Sequence, residues 1–112
     1  MKVPSQPTVS STHIKKIIYK ARRVLRHPGL DLLVNSTDHT GLLIVVTPAR
    51  IGNAVKRNTV RRRIKAIVTE NNLQQKGYDI IIIVKKEGVS FSYDLLKTII
   101  IDTLAQAPIK NS

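Results

Sequence analysis

Apolar positions along this chain follow two different periods. Ile14, Ile17, Ile18, Ala21 and Leu25 recur at steps of three and four, which predicts a helix with one apolar stripe. Ser10, Ser11 or Thr12 caps its start, Lys15, Lys16, Lys20, Arg22, Arg23 and Arg26 fill its polar side, and His27-Pro28-Gly29 stops it. Leu30 to Asn35 and Leu42 to Thr47 are short apolar runs joined by the turn-forming STDHTG, so an antiparallel hairpin is the simplest expectation. Tyr78 to Val84 reads YDIIIIV, a β-branched run suited to a central strand covered on both faces. A last helix is expected from about Tyr93 to Ala105, capped by Ser92, with Leu96, Ile99, Ile100 and Leu104 facing inward and Pro108 beyond its end. With a further helix through Val60, the order becomes α-β-β-α-β-α. That is an α+β sandwich of helices on a small mixed sheet, and the strands flanking the middle helix invite a parallel β-α-β crossover. Residues 1–10, carrying Pro4 and Pro7 without periodicity, read as a flexible leader, 11–108 as one domain and 109–112 as a tail.

Charge changes the meaning of the middle helix. Residues 53–65 read NAVKRNTVRRRIK, and no carboxylate occurs between Asp38 and Glu70. With Val60 as zero and about 100° per residue, Ile67, Ile64 and Val68 fall at about −20°, 40° and 80° and form an inner stripe. Arg61, Lys65, Asn58 and Arg62 fall at about 100°, 140°, 160° and 200°, which is one exposed ridge. Arg63, near 300°, is a flank residue, while Lys56 and Arg57 sit at the helix start, where free backbone donors already favour phosphate. Gly52 and Asn53 make the entry turn. A charge run is usually a solvated face. Here the segment lacks acids for pairing within the helix and is rich in arginine, whose planar fork matches phosphate oxygens. The whole chain has 19 Lys and Arg against 7 Asp and Glu, a net charge of +12, which also favours a polyanionic partner.

The remaining composition excludes chemistry more than it adds any. Without cysteine there is no disulfide, thiolate metal site or cysteine nucleophile. His13, His27 and His39 are scattered, and Asp31, Asp38, Glu70, Asp79, Glu87, Asp94 and Asp102 include no close pair of the kind two-metal nucleases use. Asp79, beside an apolar strand, is expected to pair with a cation or a backbone amide. No stretch reaches the length of a membrane span and the start lacks a signal-peptide core, so a cytoplasmic location away from membranes is expected. Tyr19, Tyr78, Phe91 and Tyr93 are few rings for a reader of single-stranded RNA, and Phe91 and Tyr78 are expected in the core.

GNAVKRN followed by VRRRIK resembles the signature of the bacterial ribonuclease P protein component: a glycine-asparagine-alanine turn, an Arg-Asn-Arg core and further basic residues on the same helix. The resemblance covers about residues 10 to 105. It implies a left-handed crossover, a role assisting a catalytic RNA that removes the 5′ leader of precursor transfer RNA, and catalytic groups on that RNA rather than on this chain. The implied partners are ribonuclease P RNA and precursor transfer RNA, with no obligate protein partner, and Mg²⁺ held mainly by RNA. The RNA-binding positions that carry over are Arg57, Asn58, Arg61, Arg62 and Lys65, and Arg50, Asn53 and Lys56 beside them are expected to join the contact. The leader is expected in a cleft between sheet and first helix, at positions matched by Ile14, Lys15, Ile18, Tyr19, Arg22 and Val34, although Ile14 and Ile18 also fit a plain core role. The third core letter is Thr59 instead of arginine, Ala49 and Arg50 stand where a basic pair is usual, and isoleucines replace the first helix's phenylalanines. A ribosomal structural RNA-binding protein, a major-groove DNA binder and an autonomous nuclease are the competing readings.

Overall fold

The computed structural model describes residues 11–36, 41–73 and 78–106, without the side chains of residues 11–14. Within them lie helix α1 (Ser11–Lys20), strands β1 (Arg22–Arg26), β2 (Leu30–Ser36) and β3 (Leu43–Val46), helix α2 (Ala54–Glu70), strand β4 (Tyr78–Val84) and helix α3 (Tyr93–Gln106). Short 3₁₀ turns at Ala49–Ile51 and Glu87–Ser90 precede α2 and α3. The expected leader, the tail, Pro108 and most of the STDHTG turn lie outside the described residues.

Two expectations are corrected. The first helix stops at Lys20, and Arg22–Arg26 forms an edge strand antiparallel to β2. Helical spacing to Leu25 is also compatible with a short strand, and pairing wins because it covers the edge of β2 and satisfies its ladder. The irregular register between Arg23 and Leu25 lets Val24 and Leu25 both pack against the larger core. Nor do β2 and β3 form a hairpin. The strand order is β1-β2-β4-β3, with β4 between them, antiparallel to β2 and parallel to β3. Inserted there, Ile80, Ile81 and Ile82 have partners on both sides and on both faces, and each is 0% exposed. The parallel pairing of β3 and β4 around α2 is as expected.

Alternation along the strands splits the core in two. Leu30, Leu32, Val34, Leu43, Ile80, Ile82 and Val84 pack with Val60, Ile64, Ile67 and Val68 of α2 and Leu96 and Ile100 of α3. The other sheet face joins Leu33, Ile44 and Ile81 to Ile17 of α1, with Ile18, Ala21, Val46 and Ile83 partly buried around them. Asp79 points to this second side and is satisfied there. Its Oδ1 accepts from the Leu42 backbone N–H at 2.8 Å and its Oδ2 from Asn35 Nδ2 at 3.1 Å, the structural role expected for it. At the far end of the sheet, Gly29 meets Gly88 so closely that a Cβ on Gly88 would lie 2.0 Å from the Gly29 carbonyl oxygen. Only glycine allows that approach.

Candidate nucleic-acid interface

Helix α2 is fixed before its charges are considered. Ile51 of the preceding turn is buried, and Asn53 caps the helix, its Oδ1 accepting from the Lys56 backbone N–H at 2.9 Å. At the other end Asn71 Nδ2 donates to the Ile67 carbonyl, and Asn72 takes a left-handed φ of 53° that asparagine tolerates. The predicted inner stripe of Val60, Ile64, Ile67 and Val68 is fully buried, so the rotation of α2 about its axis is set by packing.

That rotation presents the ridge. Asn58, Arg62 and Lys65 are exposed and Arg61 is half-buried. Arg61 is braced: Nη1 donates to Asn58 Oδ1 at 2.8 Å and Nη2 donates to Thr47 Oγ1 at the end of β3. Those bonds hold its guanidinium plane in place without neutralising it. Arg63 departs from the ridge as expected, its Nη1 donating to the Phe91 carbonyl at 2.7 Å. Lys56 is exposed, its stem passing over Gly52 on the same flank as Arg63, and Arg50 is exposed on the 3₁₀ turn. Arg57 is half-buried with Nε lacking a hydrogen-bond partner, because its position on the wheel falls beside Ile64. Thr59 turns its hydroxyl back to the Val55 carbonyl at 2.8 Å, so the missing third arginine of the core is not replaced by another free donor.

No carboxylate among the described residues pairs with a cation of α2. The ion pairs lie elsewhere: Asp31 is 3.4 Å from Arg23 Nε and 2.8 Å from Lys85 Nζ, the latter close but not aligned as a hydrogen bond. Glu70, the one acid of α2, accepts from Tyr93 Oη, and that hydrogen bond raises the Tyr93 pKa above its ordinary value. Tyr78 is raised by burial, its hydroxyl donating to the Leu73 carbonyl at 3.2 Å. Among the described residues no group of three or more His, Asp or Glu is placed to hold a metal ion.

The cleft assignments are rearranged. Val34 is 4% exposed and packs beneath α2 and α3, on the opposite sheet face from α1, and Arg22 stands level with it in the β1–β2 register. Neither lines the α1 side. Ile18 does, half-buried beside Leu33 and Ile81, while Lys15 is exposed and Tyr19 is 90% exposed, on the side of α1 away from Ile17. The Ile14 side chain lies outside the described residues. Sequence reasoning missed Val46 and Ile83, which lie partly exposed on that side around the buried Leu33, Ile44 and Ile81. A signal existed: Asp31 and Asn35 alternate with Leu33 in β2, marking that face as the less covered one.

Residues 8–107 match the family model described as Ribonuclease P. A curated relative, the ribonuclease P protein component of Finegoldia magna, is 31% identical over 93 residues, 81% of each chain. Among solved structures, the RNase P protein of Staphylococcus aureus superposes with a TM-score of 0.77 at 17% identity, covering 93% of this chain and 96% of that one. The RNase P protein of Thermotoga maritima gives 0.75 at 17% identity, covering 91% and 98%. At that identity the superpositions speak for the fold.

Proposed function

This chain belongs to the ribonuclease P protein family, the protein component of an endoribonuclease complex that processes the 5′ end of transfer RNA, and we propose that its α2 ridge grips the catalytic RNA of that complex. The observation that carries the reading is the acid-free ridge of Asn58, Arg61, Arg62 and Lys65, held at a fixed rotation by a fully buried stripe. Arg61 meets phosphate with a guanidinium already oriented by Thr47 and Asn58, so less side-chain freedom is lost on contact. Arg50, Asn53, Lys56 and Arg57 extend the contact around the helix start, where free backbone donors add to the attraction. The second sheet face, where Ile18, Val46 and Ile83 are only partly buried around the core of Leu33, Ile44 and Ile81, takes the single-stranded leader of precursor transfer RNA through apolar contact.

The bond-breaking groups belong to the RNA. Support comes from what the two buried carboxylates already do: Asp31 is engaged by Arg23 and Lys85, and Asp79 by Leu42 and Asn35. Neither is free to act as a base or to seat Mg²⁺, and no group of three or more His, Asp or Glu among the described residues is placed to hold that ion, so it is assigned to the RNA. A cytoplasmic location is part of this proposal; no helix among the described residues is long and apolar enough to cross a membrane.

The test is reconstitution. The protein alone should leave precursor transfer RNA intact, and adding a ribonuclease P RNA with Mg²⁺ should yield the mature 5′ end. Correctly placed cleavage by RNA-free protein, abolished by Asp79→Asn, would overturn the reading.

A further inference from the structure

We infer that the outer face of α1 is a further RNA-binding surface, separate from the α2 ridge and from the sheet face beneath α1, on which Tyr19 stacks against a base of a single strand while Lys15, Lys16 and Lys20 meet its phosphates. Ile17 is 8% exposed and fixes which side of α1 faces the sheet. With Ile17 as zero and about 100° per residue, Ala21 and Ile18 fall at about 40° and 100° on the packed side. Lys15, Tyr19, Lys16 and Lys20 fall at about 160°, 200°, 260° and 300°, on the open side. All four are exposed, and Tyr19 is 90% exposed. The other two tyrosines are at least half-buried and donate through their hydroxyls, to Leu73 and Glu70. Tyr19 has no hydrogen-bond partner among the described residues.

A single exposed ring is ordinary on a protein surface. Its setting is not. From residue 11 to residue 30 the chain contains no carboxylate, and the first one, Asp31, is committed to Arg23 and Lys85. Among the described residues no carboxylate pairs with Lys15, Lys16 or Lys20, which leaves their charge unpaired around an open aromatic face. Cations tracking a backbone and a ring receiving a base are the two components of sequence-tolerant single-strand binding. An anionic membrane would answer the charge equally well, but it needs several apolar side chains to insert. The isoleucines of α1 with described side chains are turned to the sheet, leaving one ring outside. This surface lies across the sheet from the α2 ridge, so the chain can hold two RNA segments at once.

The experiment uses the full chain with a short unstructured oligoadenylate carrying one 5-iodouridine, which cross-links to a stacked ring on irradiation. The adduct should map to Tyr19. In equilibrium titrations Tyr19→Ala should weaken the strand by about 5- to 150-fold, the equivalent of roughly 1 to 3 kcal/mol of base stacking, with Tyr19→Phe close to wild type. An abasic strand of equal length should bind Tyr19→Ala and wild type alike. Wild-type affinity in Tyr19→Ala, an equal loss on the abasic strand, or a loss confined to phosphatidylserine vesicles would each overturn the inference. Ribonuclease P RNA titrated against Arg62→Ala reports separately on the ridge. Loss there with an unaffected Tyr19→Ala sinks this inference alone, and the converse sinks the ridge reading alone.

Discussion

Arg62 and Arg63 are neighbours of identical chemistry that the fold puts to opposite uses. Arg62 projects from the ridge into solvent, whereas Arg63 reaches back to the Phe91 carbonyl, tying α2 to the turn before α3. Arg63→Ala should therefore cost about 1.5 kcal/mol, the low end for a hydrogen bond to a charged group because the residue is only half-buried. In a domain of this size that is a fall in Tm of roughly 5 to 10 °C, with RNA affinity changed little. Arg62→Ala should do the reverse, leaving Tm within a degree or two and reducing the slope of log K against log salt by about 0.7 to 0.9 for a lost phosphate contact. Thermal unfolding and titrations at several salt concentrations check both. A matching loss of RNA affinity in the two variants would mean that the ridge has been placed on the wrong side of the helix.

At the scale of elements, α2 depends on a residue that has two roles in one place. Asn53 accepts from the Lys56 N–H and so orders the turn that carries Lys56 and Arg57, and it also lies at the mouth of the proposed RNA contact. Asn53→Ala should lose about 1 kcal/mol of stability through the missing cap and weaken RNA binding indirectly. Asn53→Asp separates the roles. Aspartate caps as well as asparagine and its charge suits a helix start, so Tm should hold or rise. The same charge repels phosphate, so RNA affinity should fall by more than in Asn53→Ala. Calorimetry alongside RNA titration decides the matter, and an Asn53→Asp variant that binds RNA as tightly as wild type would remove Asn53 from the interface.

Over the whole molecule the net charge is +12, and among the described residues basic side chains stand exposed on both sides of the sheet, on α1 and on α2, without a carboxylate paired to them. The Cα extents are 38 × 32 × 27 Å, so at about 0.01 M salt, where the screening length is about 30 Å, charges on opposite faces still repel one another. At about 0.1 M that length is about 10 Å and the repulsion is confined to each face. The Tm of the RNA-free protein should thus climb by several degrees over this range, as measured by circular dichroism melts. A Tm that falls with salt would show that attractive ion pairs, such as those of Asp31, dominate the electrostatics instead.

The sequence by itself determined the elements whose pattern is long or strongly one-sided. The stripe from Val60 to Val68, the YDIIIIV strand, the Ser92-capped helix and the acid-free ridge were all legible, because periodicity and charge are properties of neighbouring residues. The family resemblance was legible in GNAVKRN and VRRRIK. Tertiary structure alone decided the rest. Arg22–Arg26 carries too few residues to distinguish a helical from an extended period, and it became a strand because the edge of β2 was there to receive it. The order of β2, β4 and β3 follows from giving the most apolar strand a partner on each side, which depends on residues 37 or more positions apart in the chain. The same pairing fixed which face of β2 meets α1. It placed Val34 beneath α2 and α3, put Leu33 on the other side, and left Tyr19 facing solvent on a helix whose inner side the sheet had already claimed.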